Sequence, residues 1–238
     1  MKDKKIGRNQ SFFDELYKMQ VYQKGWEEMQ TTASPVAVFD FDGTIIAGDS
    51  FLPFMQYVVG RSNYYQGFLR LLPWLSGYAL GVVDNRRIKE KVIGCFLKGL
   101  SHQEVEEKGR AYAKEILLNR EKPEMLEKIR WHHQKQHWVV LASASLLVYL
   151  KPWAEARNFH GICGAELEVD EAGRITGRIK GNNGFGQEKV DAVEQWLDSR
   201  KPSLTYAYGD SAGDKELLEW ADVKVYKGQQ LAESQQAS

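Results

Sequence analysis

Two carboxylates one residue apart, Asp40 and Asp42, follow the apolar run VAVF at 36–39. No basic residue lies among residues 36–50, so the pair has no partner nearby in the chain. Further groups able to do chemistry recur downstream. They are Ser143 and Ala144 in VVLASAS, Lys189 in GFGQEKV, and Asp210 and Asp214 in YGDSAGD. Carboxylates gathered in one crevice would repel one another strongly if left unpaired. Such clusters persist by holding a hard cation or by keeping a proton. One Mg²⁺ and the Lys189 ammonium would balance most of the charge. The Ser143 hydroxyl and the free N–H groups after Asp42 would then face an anion. Carboxylates, Mg²⁺, one lysine and one serine make a site for phosphoryl transfer.

These groups need a scaffold that brings them together. Residues 35–41, 137–141, 204–208 and 223–226 read as short apolar strands. Helices are expected from Pro123 to about Lys135, from 146 to 158, from 187 to 199 and from 213 to 220. Residues 164–180 alternate about Asp170–Gly173 and predict a β-hairpin. Residues 50–119 carry helical spacing almost throughout. Within them, Ser101 and Glu104 predict a capping box opening a helix over 102–119. Strands alternating with helices predict an α/β fold, a Rossmann-like, mostly parallel sheet with helices on both faces. The helical block is too long for a crossover and reads as an inserted all-helical cap over the carboxyl edge of the sheet, where open α/β folds bind ligands. The expected organisation is an extension over 1–34, a catalytic core over 35–48 and 120–228, a cap over 49–119 and a polar tail over 229–238.

Composition narrows the function classes. With 32 basic and 32 acidic residues the formal net charge is zero. General attraction to nucleic acid or anionic lipid is therefore not expected, which leaves only local charged patches. Two cysteines without a CxxC argue against a disulfide framework and fit a reducing cytoplasm. Residues 1–34 lack the apolar segment of a signal peptide, and Met29 offers an alternative start.

The four segments together resemble the haloacid dehalogenase superfamily. DFDGT at 40–44 resembles its first motif, Ser143 the second, Lys189 the third and GDSAGD at 209–214 the fourth. The resemblance runs from residue 35 to about 226 and is nearest to the phosphoserine-phosphatase-like branch, which carries a helical cap after the first motif. Relatives in that branch often hold Cys near 184 and Pro near 146, where this chain has Gly184 and Leu146. The resemblance implies Asp40 as nucleophile and Asp42 as general acid and base, which argues against a dehalogenase. It implies Mg²⁺ held by Asp40, the Asp42 backbone carbonyl and Asp210. Asp214 would support the metal or orient Lys189. Gly43, Thr44, Ser143, Ala144 and Lys189 would receive the phosphate. Plainer roles also exist: Ser143 as a helix cap, Lys189 as a solvated helix residue, Asp214 as a charge favoured by a helix dipole. His132, His133 and His137 read as structural.

The leaving group is less legible. Asp49 fits either a contact to a substrate amine or a cap on the helix after Ser50. Arg86, Arg87 and Lys91 are the cap cations that a substrate carboxylate would need. The favoured substrate is a small phosphorylated metabolite. The run LLPWLSGYALGVV, 71–83, is uncharged but shorter than the roughly 20 residues of a membrane span. It predicts a buried helix pair broken at Pro73 and Gly77. Alternatively its Trp74 and Leu75 face dips into a bilayer surface, which would suit peripheral association and a phosphatidylglycerophosphate-type lipid phosphate as substrate. A binding module without catalysis is the third reading.

Overall fold

The computed structural model describes residues 33–231. The extension expected at 1–34 lies almost wholly outside them, as does the tail beyond 231. A seven-stranded sheet forms the centre, in the order β4-β3-β2-β1-β5-β6-β7. Its strands are β1 (Val36–Phe39), β2 (Trp138–Leu146), β3 (Gly161–Val169), β4 (Ile175–Lys180), β5 (Thr205–Gly209), β6 (Val223–Tyr226) and β7 (Gln229–Gln230). The inner five run parallel, while β4 and β7 close the two edges antiparallel. The short strand β7 occupies the start of the segment read as polar tail.

β1 lies at the middle and is buried throughout. Ala37 and Phe39 enter one apolar layer, and Val36 and Val38 enter the other. That is why VAVF is a continuous apolar run and not an alternating one. Phe39 pairs with Leu141 of β2 and Tyr208 of β5. Asp40, Ala142 and Gly209 therefore stand together at the next step, along the carboxyl edge.

Three boundaries differ from the sequence expectation. β2 continues past Leu141 to Leu146 through a register shift, because the serine-rich stretch still pairs with β3. β3 begins at Gly161, so the hairpin's first strand is also a parallel member of the main sheet. The helix at Ser101 has no capping box. The His102 N–H is instead bonded by the Gly173 carbonyl at 2.9 Å, so the hairpin turn satisfies the helix end. A capping box does form at Ser211 and Asp214.

Between β1 and β2 stand α1 (Phe51–Val59), α2 (Arg61–Ala79), α3 (Asn85–Phe96), α4 (His102–Glu115), a 3₁₀ turn at Leu117–Arg120 and α5 (Pro123–Gln134). α6 (Leu147–Glu155), α7 (Gln187–Leu197) and α8 (Lys215–Trp220) pack on the sheet. The expected break at Pro73 and Gly77 is not there: α2 is one helix of 19 residues running through both. Gly67 and Leu71 bury its inner side against α3, and Gly67 leaves room for the Phe96 ring. The expectation that the run is buried fails too. Leu72, Trp74 and Leu80 are 46%, 40% and 79% exposed. The described helices include none long and apolar enough to cross a membrane.

Candidate active site

The parallel strands deliver the chemistry to one edge. Asp40 follows β1, Ser143–Ser145 end β2, and Asp210 follows β5, while Lys189 enters on the first turn of α7. Lys189 is buried, with Nζ 2.8 Å from Asp40 Oδ1 and bonded also to Asp214 Oδ1. Burial alone would lower the lysine pKa, but the two carboxylates outweigh it and raise it. Asp214 is held below the usual carboxylate range despite its burial, by Lys189 and by bonds from Ser211. Its Oδ2 accepts from the Asp210 N–H at 3.2 Å, the Ser211 N–H at 3.0 Å and the Ser211 hydroxyl at 2.8 Å. Asp214 thus fixes both Lys189 and the loop that carries Asp210.

The two N-terminal carboxylates differ. Burial pushes Asp40 up to about 6, against the pull of Lys189. Burial pushes Asp42 further, to about 7, against hydrogen bonds from Ser145 and Ser50. Asp42 Oδ1 accepts the Ser50 N–H at 2.6 Å, and Oδ2 accepts the Ser145 hydroxyl. Behind them Ser50 Oγ meets Ser145 Oγ at 3.0 Å and Tyr149 Oη at 3.1 Å, and the Tyr112 hydroxyl donates to the Ser50 carbonyl at 3.1 Å. This buried hydroxyl network ties Asp42 to the helical segment between β1 and β2. Sequence reading missed it. The paired serines of ASAS at 142–145 were the visible signal, but nothing local pointed to Ser50, Tyr112 or Tyr149.

Asp210 is half-buried and raised, by burial first and then by Asp214. Thr44 Oγ1 donates to it at 3.3 Å. Oxygens of Asp40, Asp210 and Asp214 lie within 4.8 Å of one another. Three converging carboxylates against one ammonium leave excess negative charge, and a hard cation such as Mg²⁺ fits that donor set. The Asp42 side chain is not part of the trio, since it turns to the serines. Gly43 permits the packing: at φ +78° it has no Cβ, and one would stand 2.2 Å from Asp210 Oδ2. Lys122, also missed by sequence reading, donates to the Gly43 carbonyl.

Ser143 Oγ accepts the Ser145 N–H at 3.0 Å, so it shapes the β2 terminus and does not cap a helix at 146. A cleft of about 340 Å³ opens over these groups. Asp40, Asp42, Ser143, Ala144 and Lys189 line it from the core, and Asp49, Phe51, Leu52, Leu75, Tyr78 and Lys89 line it from the cap. Asp49 bonds the Leu52 N–H at 2.9 Å and so caps α1, while also facing the cleft. The cap cations are placed otherwise than expected. Arg86 donates to the Gly181 and Ile179 carbonyls at 2.8 and 3.0 Å. Arg87 pairs with Asp84 at 3.3 Å, and Lys91 lies over the Trp74 ring at 4.2 Å. Arg86, Arg87 and Lys91 do not line the cleft. Lys89 does, and nothing local in the chain distinguishes it from its neighbours. Its Nζ bonds the Ala144 carbonyl, Asn183 Oδ1 at 2.7 Å and the Asn183 carbonyl at 3.3 Å. Burial lowers its pKa to about 7. Gly184, at φ +71°, passes so near that a Cβ would lie 2.4 Å from the Ser143 carbonyl. The histidines are structural: His132 is buried between His137 at 2.8 Å and the Tyr208 hydroxyl at 2.9 Å.

Known proteins share the family pattern and the fold of this chain. A family model described as haloacid dehalogenase-like hydrolase matches residues 37–219. The chain is 33% identical over 194 residues to Protein CicA of Caulobacter vibrioides (strain NA1000 / CB15N), covering 81% of this chain and 85% of that one. It is 25% identical over 197 residues to a histidinol-phosphatase of Neisseria meningitidis serogroup C (strain 8013), covering 77% and 85%. Among solved structures, a Bordetella pertussis Tohama I protein of unknown function superposes with TM-score 0.70 at 24% identity, over 80% of this chain and 88% of that one. A phosphoserine phosphatase bearing a phospho-aspartyl intermediate analogue superposes with TM-score 0.58 at 17% identity, over 81% and 86%. The match runs from the first strand to the last helix and takes in all four segments that meet at the cleft, so the chain belongs to the haloacid dehalogenase-like hydrolase family.

Proposed function

We propose that this chain is a Mg²⁺-dependent phosphomonoester hydrolase that works through an aspartyl-phosphate on Asp40 and takes a small phosphorylated metabolite. The observation that carries the reading is the division between two neighbouring carboxylates. Asp40 bonds the Lys189 ammonium, as a nucleophile that stays ionised requires. Asp42, raised to about 7, is matched to proton transfer near neutral pH. Relatives named as phosphatases support the same chemistry.

In the first step an Asp40 oxygen attacks phosphorus, the bond to the leaving oxygen breaks, and Asp42 gives its proton to that oxygen. In the second, Asp42 takes a proton from water as the water attacks the aspartyl-phosphate; inorganic phosphate leaves and Asp40 is restored. Lys189, Thr44, Ser143 and the N–H groups around Gly43 and Ala144 would receive phosphate oxygens. Asp40, Asp210 and the Asp42 backbone carbonyl would hold Mg²⁺, whose charge offsets the repulsion between nucleophile and phosphate.

The cleft bears on the leaving group. Lys89 is the cap's only cation lining it among the described residues, and its three N–H donors already have three acceptors. A substrate carboxylate therefore finds no free partner there, which disfavours phosphoserine. Phe51, Leu52, Leu75, Tyr78, Ile88 and Val92 favour an apolar body, and Asp49 an amine. The apolar wall also supports a second reading, a lipid phosphomonoester.

The test is Mg²⁺-dependent phosphate release from phosphoserine, amino-alcohol phosphates, sugar phosphates and a micellar lipid phosphate, with Asp40→Asn as control. Release from a soluble amino-alcohol ester in preference to phosphoserine supports the main reading. An active Asp40→Asn protein ends the mechanism.

A further inference from the structure

α2 departs from the pattern of a helix on a globular surface. Such a helix is apolar on one side and polar on the other. The inner side of α2 is apolar through Gly67 and Leu71, which are buried. Its outer side is apolar as well: Tyr65, Leu69 and Leu72, spaced i, i+4, i+7, form one exposed stripe. Leu80 and Val82 extend it past the helix end and are among the most exposed apolar side chains described. Nothing in the described fold covers this stripe.

Beside α2 runs a second concavity, of about 730 Å³, between α2, α3 and β4. It is separate from the catalytic cleft, and its lining includes Arg70, Lys91, Lys98 and Arg178, beside a Glu90 that pairs with Arg86 and an Arg87 that pairs with Asp84. None of these four is in an ion pair among the described residues. Lys91 rests on Trp74, at the boundary between the cations and the apolar helix. Uncovered apolar side chains next to unpaired cations, with an aromatic between them, are what an anionic bilayer surface recognises. A second copy docked through the same stripe would bring two like-charged grooves together. Leu75 and Tyr78 of the same helix line the catalytic cleft, so a surface held by α2 lies beside the cleft mouth.

We propose that α2 is an interfacial helix by which the cap docks on anionic membranes, with its outer stripe in the headgroup layer and the Arg70–Lys91–Lys98–Arg178 groove against lipid phosphates. The proposal stands whether or not the substrate is itself a lipid.

The test is co-sedimentation of the full chain with phosphatidylcholine vesicles, with and without phosphatidylserine, at low and high salt. Two variants accompany it, Leu69→Ser/Leu72→Ser and Arg70→Glu/Lys98→Glu, each checked for folding by thermal melting. The expected result is binding stronger by roughly tenfold or more with the anionic lipid, weakened by salt. Both variants should lose that binding while melting as the parent chain does. Three results would overturn the proposal: no vesicle binding by the parent chain, equal binding by the Leu69→Ser/Leu72→Ser protein, or a dimer in sedimentation that this pair of substitutions dissociates. Because the readout is binding, a failed phosphatase assay leaves it unaffected.

Discussion

The core edge and the cap treat polar and apolar groups in opposite ways. At the core edge, charged groups are buried and each is bonded: Lys189 to Asp40 and Asp214, Asp42 to Ser50 and Ser145, Asp214 to the loop of Asp210. On the cap, large apolar groups are exposed and α2 has an uncovered side. Desolvation raises both adjacent carboxylates, and the Lys189 ammonium holds Asp40 below Asp42. Exposure is what leaves the cap free to meet something else. On the proposed function, the chemical step falls to the core and the choice of substrate and location to the cap.

The largest effect should come from the proposed nucleophile. Asp40→Asn is expected to lower kcat by at least about 10⁴-fold without lowering the melting temperature. Single-turnover phosphate release and a thermal melt measure both. Asp42→Asn should follow, with a loss of about 10²- to 10⁴-fold. Its pH profile sharpens the point. Asp42 must carry a proton to act as acid, so kcat/KM of the parent enzyme should fall as pH rises through about 7, where that proton is lost. The variant should lack this alkaline limb.

Gly184→Ala probes the seam between core loops. An added Cβ meets the Ser143 carbonyl, and φ is +71°. The strain should cost about 1–3 kcal/mol of stability and weaken inhibition by inorganic phosphate. Denaturant unfolding and a phosphate titration would read it, and unchanged values would remove Ser143 from phosphate binding. The smallest of these effects should belong to the cap. Lys89→Met removes a tie between α3 and the Ala144 and Asn183 carbonyls. It is expected to raise KM by about tenfold and change kcat less, because it acts on positioning and not on a reacting atom. A kcat loss as deep as that of Asp42→Asn would break the division between core and cap.

The sequence by itself determined the order of the strands and helices, the hairpin and the groups that meet at the carboxyl edge. Those are local or pairwise signals: a four-residue apolar run ending in DFDGT, a lysine in the first turn of a helix, a GDSAGD loop after a strand. Chain spacing places such groups at the same edge once the sheet is parallel. Only the tertiary structure decided how the carboxylates are held. Ser50 and Ser145 meet at Asp42 from positions 95 residues apart, and no periodicity encodes that distance. It also decided which cap cation faces the cleft. Lys89 and Lys91 sit two residues apart on one helix, 200° round its axis at about 100° per residue, so one turns inward and the other outward. Finally, it decided that α2 is continuous and half bare. Composition reads an uncharged run as buried, but burial is a property of neighbours, and here they cover only one side.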